Sequence, residues 1–212
     1  MTTLDSARWQ TLWRQMGGSP PSDSFEHLAS AYAQPQRHYH NAGHILACLD
    51  HLDHYKALSA QPALVEFALW THDLVYDTHR QDNEAASAEQ ACRWLCQAGL
   101  GQHSAAVSEM ILATTHQSPA SGDAALVVDI DLGILAAPAE VYSDYQAAVR
   151  QEFAWVPEPL FRQGRARLLR SLLEMPRLYQ VAALAERWED KARSNLAREL
   201  MELQGQDDAV ER

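Results

Sequence analysis

Along most of the chain, apolar residues recur at intervals of three and four, the spacing that gathers them on one face of an α-helix. Trp9, Leu12, Trp13 and Met16 predict a first helix that Gly17-Gly18 stops, and after the loop Ser19-Pro20-Pro21 a second follows through Phe25, Leu28 and Tyr32. Gln34-Pro35-Gln36-Arg37 breaks it; Ile45, Leu49 and Leu52 then mark a third helix, with Asn41 placed to cap it. Val107, Met110, Ile111 and Thr114 predict a helix that ends near Thr115-His116, and Ser118 to Gly122 reads as a turn. Val141, Tyr145, Val149 and Phe153 predict an amphipathic helix opened by Pro138 and closed by Pro157 and Pro159. From Leu160 to Leu203 the chain is rich in Ala, Leu, Arg and Glu, all good helix formers, with Pro176 dividing the stretch.

Two segments depart from the one-faced pattern. Pro62 suits the first turn of a helix whose run Phe67-Ala68-Leu69-Trp70 is apolar all round and leads directly into Thr71-His72-Asp73. Asp123 to Ala137 is apolar enough for a buried strand or a buried helix; Gly133 and the helical neighbours favour helix. Between them, 78–82 is polar and reads as a loop, with Asn83 expected to cap a helix running to Gly99. No strand pair with a hairpin turn, internal repeat or heptad array is present. The expectation is therefore an all-α fold, a single helical domain over 1–212 with its core at 24–203 and a frayed tail at 204–212.

Composition narrows the function classes. Hydrophobic residues make up 47% and charged residues 21%, ordinary values for a globular chain, while the formal charge of −11 argues against a nucleic-acid surface. A small phosphorylated substrate stays compatible with that charge, because a metal ion and a few arginines reverse the local field. Cys48, Cys92 and Cys96 cannot all pair within one chain, and the last two have helical spacing rather than a CxxC pattern, so reduced core thiols are expected. Met1-Thr2-Thr3-Leu4-Asp5 carries neither the basic flank nor the apolar stretch of an export signal. No run reaches the roughly 20 apolar residues of a membrane span, and a cytoplasmic protein is expected. A homodimer through the terminal helices stays open.

The chemistry concentrates in His44, His72, Asp73 and Asp131, two imidazoles and two carboxylates from three separated places. That donor set suits Mn, Fe, Co, Ni or Zn and, with more water, Mg. Neighbouring residues on a helix point about 100° apart, so His72 and Asp73 can share an ion only near the helix end.

Several short motifs occur in a telling order: Arg37-His38-Tyr39-His40-Asn41 with His44-Ile45, His72-Asp73-Leu74-Val75-Tyr76-Asp77, Asn83-Glu84 with Ser87-Ala88, and Thr114 with His116. Asp131-Leu132-Gly133-Ile134-Leu135, Ala192-Arg193 and Asn195-Leu196 follow. In this order and spacing the chain resembles the HD-domain superfamily of metal-dependent phosphohydrolases, over nearly all of 37–200, and within it a bacterial branch of predicted HD phosphohydrolases.

The resemblance implies a helical domain that holds one or two divalent ions, the first through His44, His72, Asp73 and Asp131, with Asp129 the rival for the last place. It implies a phosphomonoesterase or phosphodiesterase that uses a metal-activated water, with nucleotides among the candidate substrates. Tyr39-His40-Asn41 also looks like the cyclic-nucleotide phosphodiesterases, which makes His40 a candidate general acid, the alternative being a structural histidine at a helix start. Asp77 and Glu84 become candidates to orient the water or hold a second ion, against simple loop ordering. Arg37 and His116 become candidate substrate contacts, His116 also a second-metal ligand. Arg193 and Asn195 either reach the substrate or tie the last helix down. Relatives with di-iron oxygenase activity and a non-catalytic nucleotide-binding module are the competing readings.

Overall fold

Every regular element among the described residues is helical, ten α-helices and three short 3-10 segments. The structure is a computed structural model and describes residues 3–116 and 118–210. Two compact units divide the chain, one ending at Asp131 and the other beginning at Leu132.

The first unit holds α1 (Ser6–Gln15), α2 (Ser24–Tyr32), α3 (Ala42–Tyr55), α4 (Pro62–Thr71), α5 (Asn83–Gln97), α6 (Ser104–Ala113) and α7 (Gly122–Asp131). Helix α1 stops where the pattern predicts: Gly17 takes φ +89, and the amides of Gly17 and Gly18 bond back to Arg14 and Trp13. At the centre is α4, which touches α1, α3, α5, α6 and α7. It has no polar face, with Leu64, Val65 and every residue from Phe67 to Thr71 buried, as a helix enclosed by other helices must be. Trp9 stacks on Phe67 with ring centroids 5.6 Å apart and meets Trp13, Trp70 and Trp94 edge-on. Helix α7 is buried along most of its length in the same way, so the apolar run at 123–131 is a helix and not a strand.

The second unit contains the 3-10 segment Leu132–Ala136, α8 (Ala139–Glu152), α9 (Glu158–Glu174) and α10 (Ala182–Val210). Glu199 of α10 receives Arg165 of α9 at 2.7 and 3.0 Å and the Tyr142 hydroxyl of α8, so a buried charge is paired and its remaining lone pairs are filled.

Three expectations need correction. Asn83 does not cap α5; it is that helix's first residue, and its amide group bridges the backbone N–H and carbonyl of Asp77, which holds the loop. The buried stripe of α8 contains Tyr142, whose hydroxyl has Glu199 to bond, while Val141 is 47% exposed. Pro157 and Pro159 start α9, and α8 has already ended at Glu152. The expected frayed tail falls partly on α10, which runs to Val210, and partly on 211–212, outside the described residues.

Replacing Phe67 by Ala is expected to cost about 3–5 kcal/mol of stability in urea unfolding, because it opens a cavity against Trp9 and Trp13. Leu58→Ala, half exposed in the same unit, should stay within about 0.5 kcal/mol.

Candidate metal centre

Three helix termini deliver the donors. Asn41 caps α3 by accepting from Gly43 N at 2.8 Å, which places His44 in the first turn with its ring buried. Helix α4 ends at Thr71; His72 is its C-cap, still αR and bonded through its N–H to Ala68 O at 2.8 Å. The chain leaves the helix after that residue, which lets Asp73 turn toward the side His72 occupies. Asp131 is the last residue of α7.

His44 Nε2 and His72 Nε2 lie 3.2 Å apart. Asp131 Oδ1 stands 3.2 and 3.4 Å from them, and Asp73 Oδ2 stands 3.4 and 3.1 Å from the same two nitrogens. The four donors thus form two nearly equilateral triangles that share the His–His edge. Adjacent donors held by one ion at about 2.0–2.2 Å are about 2.8–3.6 Å apart, whether four or six ligands surround it. His44, His72 and Asp131 can hold a metal ion.

The hydrogen-bond pattern sharpens this. His72 Nδ1 is 3.0 Å from Leu69 O, so that nitrogen carries the proton, and in the neutral ring Nε2 is a lone pair. It faces His44 Nε2 and two carboxylate oxygens. Asp73 Oδ2 is buried and accepts no hydrogen bond. Several lone pairs converging in a site that excludes most water are mutually repulsive unless a cation or protons lie among them. The charge balance says the same. Burial opposes charge on all four groups, yet the facing imidazoles hold Asp73 and Asp131 well below the usual carboxylate range. His72, despite burial, is held well above its ordinary value chiefly by Asp73 and Asp131; His44 likewise by Cys48, Tyr39 and the two carboxylates.

Of Asp129-Ile130-Asp131, it is Asp131 whose carboxylate reaches the imidazoles, while Asp129 is fully buried within α7. His116 also joins: its Nε2 is 3.5 Å from Asp131 Oδ2, the oxygen turned away from the other two histidines. It sits just past the end of α6 at φ +55, a left-handed conformation that a non-glycine residue adopts only when its surroundings hold it. His40 is half-buried beside the cluster, its ring 5.8 Å from that of His44 and stacked on Tyr76 at 4.2 Å.

Other expected residues lie elsewhere or serve differently. Arg37 is 4% exposed and is not turned to a substrate. Its guanidinium donates to Gln34 Oε1 and to the carbonyls of His40, Asp73 and Leu74, and is a brace for the backbone of the site. Asp77 is exposed and its carboxylate accepts from His79, so it orders its own loop. Glu84 lies half-buried in the first turn of α5. Arg193 donates to Glu189 and the carbonyls of Leu173 and Met175, and Asn195 to those of Leu135 and Ala137. Both anchor α10 inside the second unit instead of offering their donors to a ligand. Sequence reasoning passed over Ser87 as a working residue, although it stood in one of the quoted motifs. Its hydroxyl bridges the N–H and carbonyl of Val75. Comparison of the chain with protein-family models, curated proteins and solved structures finds no match in any of the three.

Two outcomes follow. After loading with Mn²⁺ or Zn²⁺ and gel filtration, Asp131→Ala should carry almost no metal by elemental analysis and Asp129→Asn should carry as much as wild type; the reverse would reassign the ligand. The second concerns pH. Imidazoles whose pKa is raised stabilise the metal-free fold fully below about 6.5 and lose that contribution as pH rises through the raised value. Carboxylates whose pKa is depressed act only at the acid end, below about 3.8. The melting temperature of the chelator-treated chain should therefore fall as pH rises above about 6.5, and the gain on adding Zn²⁺ should grow over the same range. A metal-free melting temperature that rises over that interval would mean the two rings are neutral.

Proposed function

We propose that the chain is a metal-dependent phosphohydrolase, cleaving a phosphate mono- or diester of a small molecule. The observation that carries this reading is the convergence of His44 Nε2, His72 Nε2, Asp131 Oδ1 and the hydrogen-bond-orphaned Asp73 Oδ2 on one place. The resemblance of the motifs around these residues to the HD-domain phosphohydrolases gives the reading its reaction class. His44, His72, Asp73 and Asp131 would hold the ion. Two carboxylates and two neutral imidazoles cancel the charge of a divalent cation and leave room for water and substrate.

When bound, such a cation makes water a nucleophile near neutral pH and offsets the negative charge that develops on phosphoryl oxygens. The chain's own groups supply the rest. His40, beside the cluster, is the proton donor to the departing oxygen. Arg37 holds the main chain of His40, Asp73 and Leu74 and so fixes donor and ligand relative to one another. His72 is kept in one tautomer by Leu69 O.

A second reading has one observation in its favour. Asp131 presents its other oxygen to His116, an arrangement that suits a carboxylate shared by two ions and hence a di-iron oxygenase. The two readings separate in one assay. The chain loaded with Mn²⁺, Co²⁺ or Zn²⁺ should release phosphate or alcohol from a panel of phosphate esters, nucleotides included. His40→Gln should lower kcat by about 10²–10⁴-fold with metal content unchanged. Dioxygen consumption by the iron-loaded chain, with no ester cleaved under any metal, would replace the hydrolase reading by the oxygenase one.

A further inference from the structure

The loop that follows α4 is fastened at nearly every residue. Arg37 donates to the carbonyls of Asp73 at 2.6 Å and Leu74 at 2.9 Å. Ser87 accepts from Val75 N at 3.0 Å and donates to Val75 O at 3.3 Å. Asn83 does the same for Asp77, at 3.1 and 2.9 Å. With the main chain pinned at 73, 74, 75 and 77, the direction in which residue 76 projects is fixed as well. That residue is Tyr76, and its ring lies against His40 with centroids 4.2 Å and planes 25° apart. The Arg37 guanidinium stands 5.5 Å from the centre of the Tyr76 ring and also donates to the His40 carbonyl at 3.3 Å. His40 is thus held at its backbone by Arg37 and at its ring by Tyr76, which stacks on its face, while Tyr39 meets the ring edge-on at 4.9 Å.

We propose that Tyr76 is the positioning residue for His40, a wall that holds the imidazole beside the cluster in the orientation from which it protonates the leaving group. The proposal rests on the hydrolase reading. A stacked ring suits this task, because it fixes the plane of the imidazole through its π-face and does not itself engage a ring nitrogen. In the step, the ester P–O bond breaks with its electron pair on the departing oxygen, and the His40 imidazolium gives that oxygen its proton. The oxygen of water forms the new bond to phosphorus, and a proton from that water restores the imidazolium.

The fastened loop explains why the work falls to residue 76. An unanchored side chain that stacks on a half-exposed ring loses most of its orienting effect to its own motion, and side chains locked by supporting contacts do not. Arg37, Ser87 and Asn83 supply that support.

The test uses the full chain, Tyr76→Leu, which removes the ring, and Tyr76→Phe, which keeps it. Two esters are compared, one with a nitrophenyl leaving group that departs without a proton and one with an alkyl leaving group that needs one. The expected result is a fall in kcat of at least about 30-fold for Tyr76→Leu on the alkyl ester, with KM little changed and less than about 3-fold loss on the nitrophenyl ester. Tyr76→Phe should keep both activities, and metal content should be equal in all three proteins. In the Zn²⁺-loaded chain, the His40 ring resonance, assigned with His40→Gln, should shift in Tyr76→Leu while those of His44 and His72 stay. Equal loss on both esters, Phe as harmful as Leu, or an unmoved His40 resonance overturns the proposal. If wild type cleaves no ester but the His40 resonance responds as described, the hydrolase reading and the proton-donor role fall. The holding of His40 by Tyr76 survives that result.

Discussion

Lone pairs forced together in a poorly hydrated place are the constraint on which the first unit depends. His72 has its Nδ1 proton fixed on Leu69 O, so in the neutral ring its other nitrogen presents a lone pair to His44, Asp73 and Asp131. Among the described residues, the polar groups nearest Asp73 Oδ2 are the two imidazole nitrogens themselves. Without a positive charge among them, such groups drive each other apart, and the helix ends that carry them would have to separate. The fold resists this with helices whose positions are set elsewhere. Helix α4 is enclosed on every side by α1, α3, α5, α6 and α7, and the Trp9–Phe67 stack and its neighbours fix its axial position. Rigid burial of α4 and electrostatic strain at its C-terminus are two aspects of one design. The apolar body holds in place a polar end that would not assemble by itself.

The treatment of cations around this centre is consistent with that view. Arg37, seven residues before His44, is engaged with main-chain carbonyls of 40, 73 and 74. Arg8 pairs with Asp53 and Glu66 on the far flank of α4. A guanidinium brought directly against Asp73 or Asp131 would neutralise the carboxylate and compete with a metal ion for it. Arg37 instead contributes rigidity, its positive charge facing carbonyl dipoles, and leaves the carboxylate lone pairs to the centre. A site built this way has its carboxylate lone pairs open to a metal ion, which His44, His72 and Asp131 can hold.

Much of this could be read from the chain. Amphipathic spacing located α1, α2, α3 and α6, and the apolar run of 123–137 marked a buried segment whose first part, 123–131, lies in helix α7. The His and Asp donors were legible because few other roles explain a His-Asp pair at the end of an apolar helix. What stayed hidden depends on partners distant in sequence. Arg37 reads as a candidate substrate contact because two of the carbonyls it binds are those of residues 36 and 37 positions further on. Asn83 read as a cap because capping is the commonest local use of that residue, and nothing local reveals that Asp77 backbone groups lie within reach. Tyr142 displaced Val141 from the buried stripe because a tyrosine can be enclosed when a carboxylate such as Glu199 accepts its hydroxyl. For Arg193 and Asn195 the sequence leaves two roles open, and their acceptors, carbonyls of Leu173, Met175, Leu135 and Ala137, show the one that ties the last helix down.

Asp131 is where the chemistry of the centre divides. One of its oxygens meets the two buried imidazoles and the other turns to His116, so a single carboxylate joins an enclosed pair to a more open third histidine. His116 reaches that oxygen only by adopting a left-handed backbone at the exit of α6, a conformation that costs free energy for any residue with a Cβ. That strain is maintained by the fold around it, and its visible return is the contact with Asp131. Asp131, which meets His44 and His72 with one oxygen, is thus the residue through which the third histidine joins the cluster.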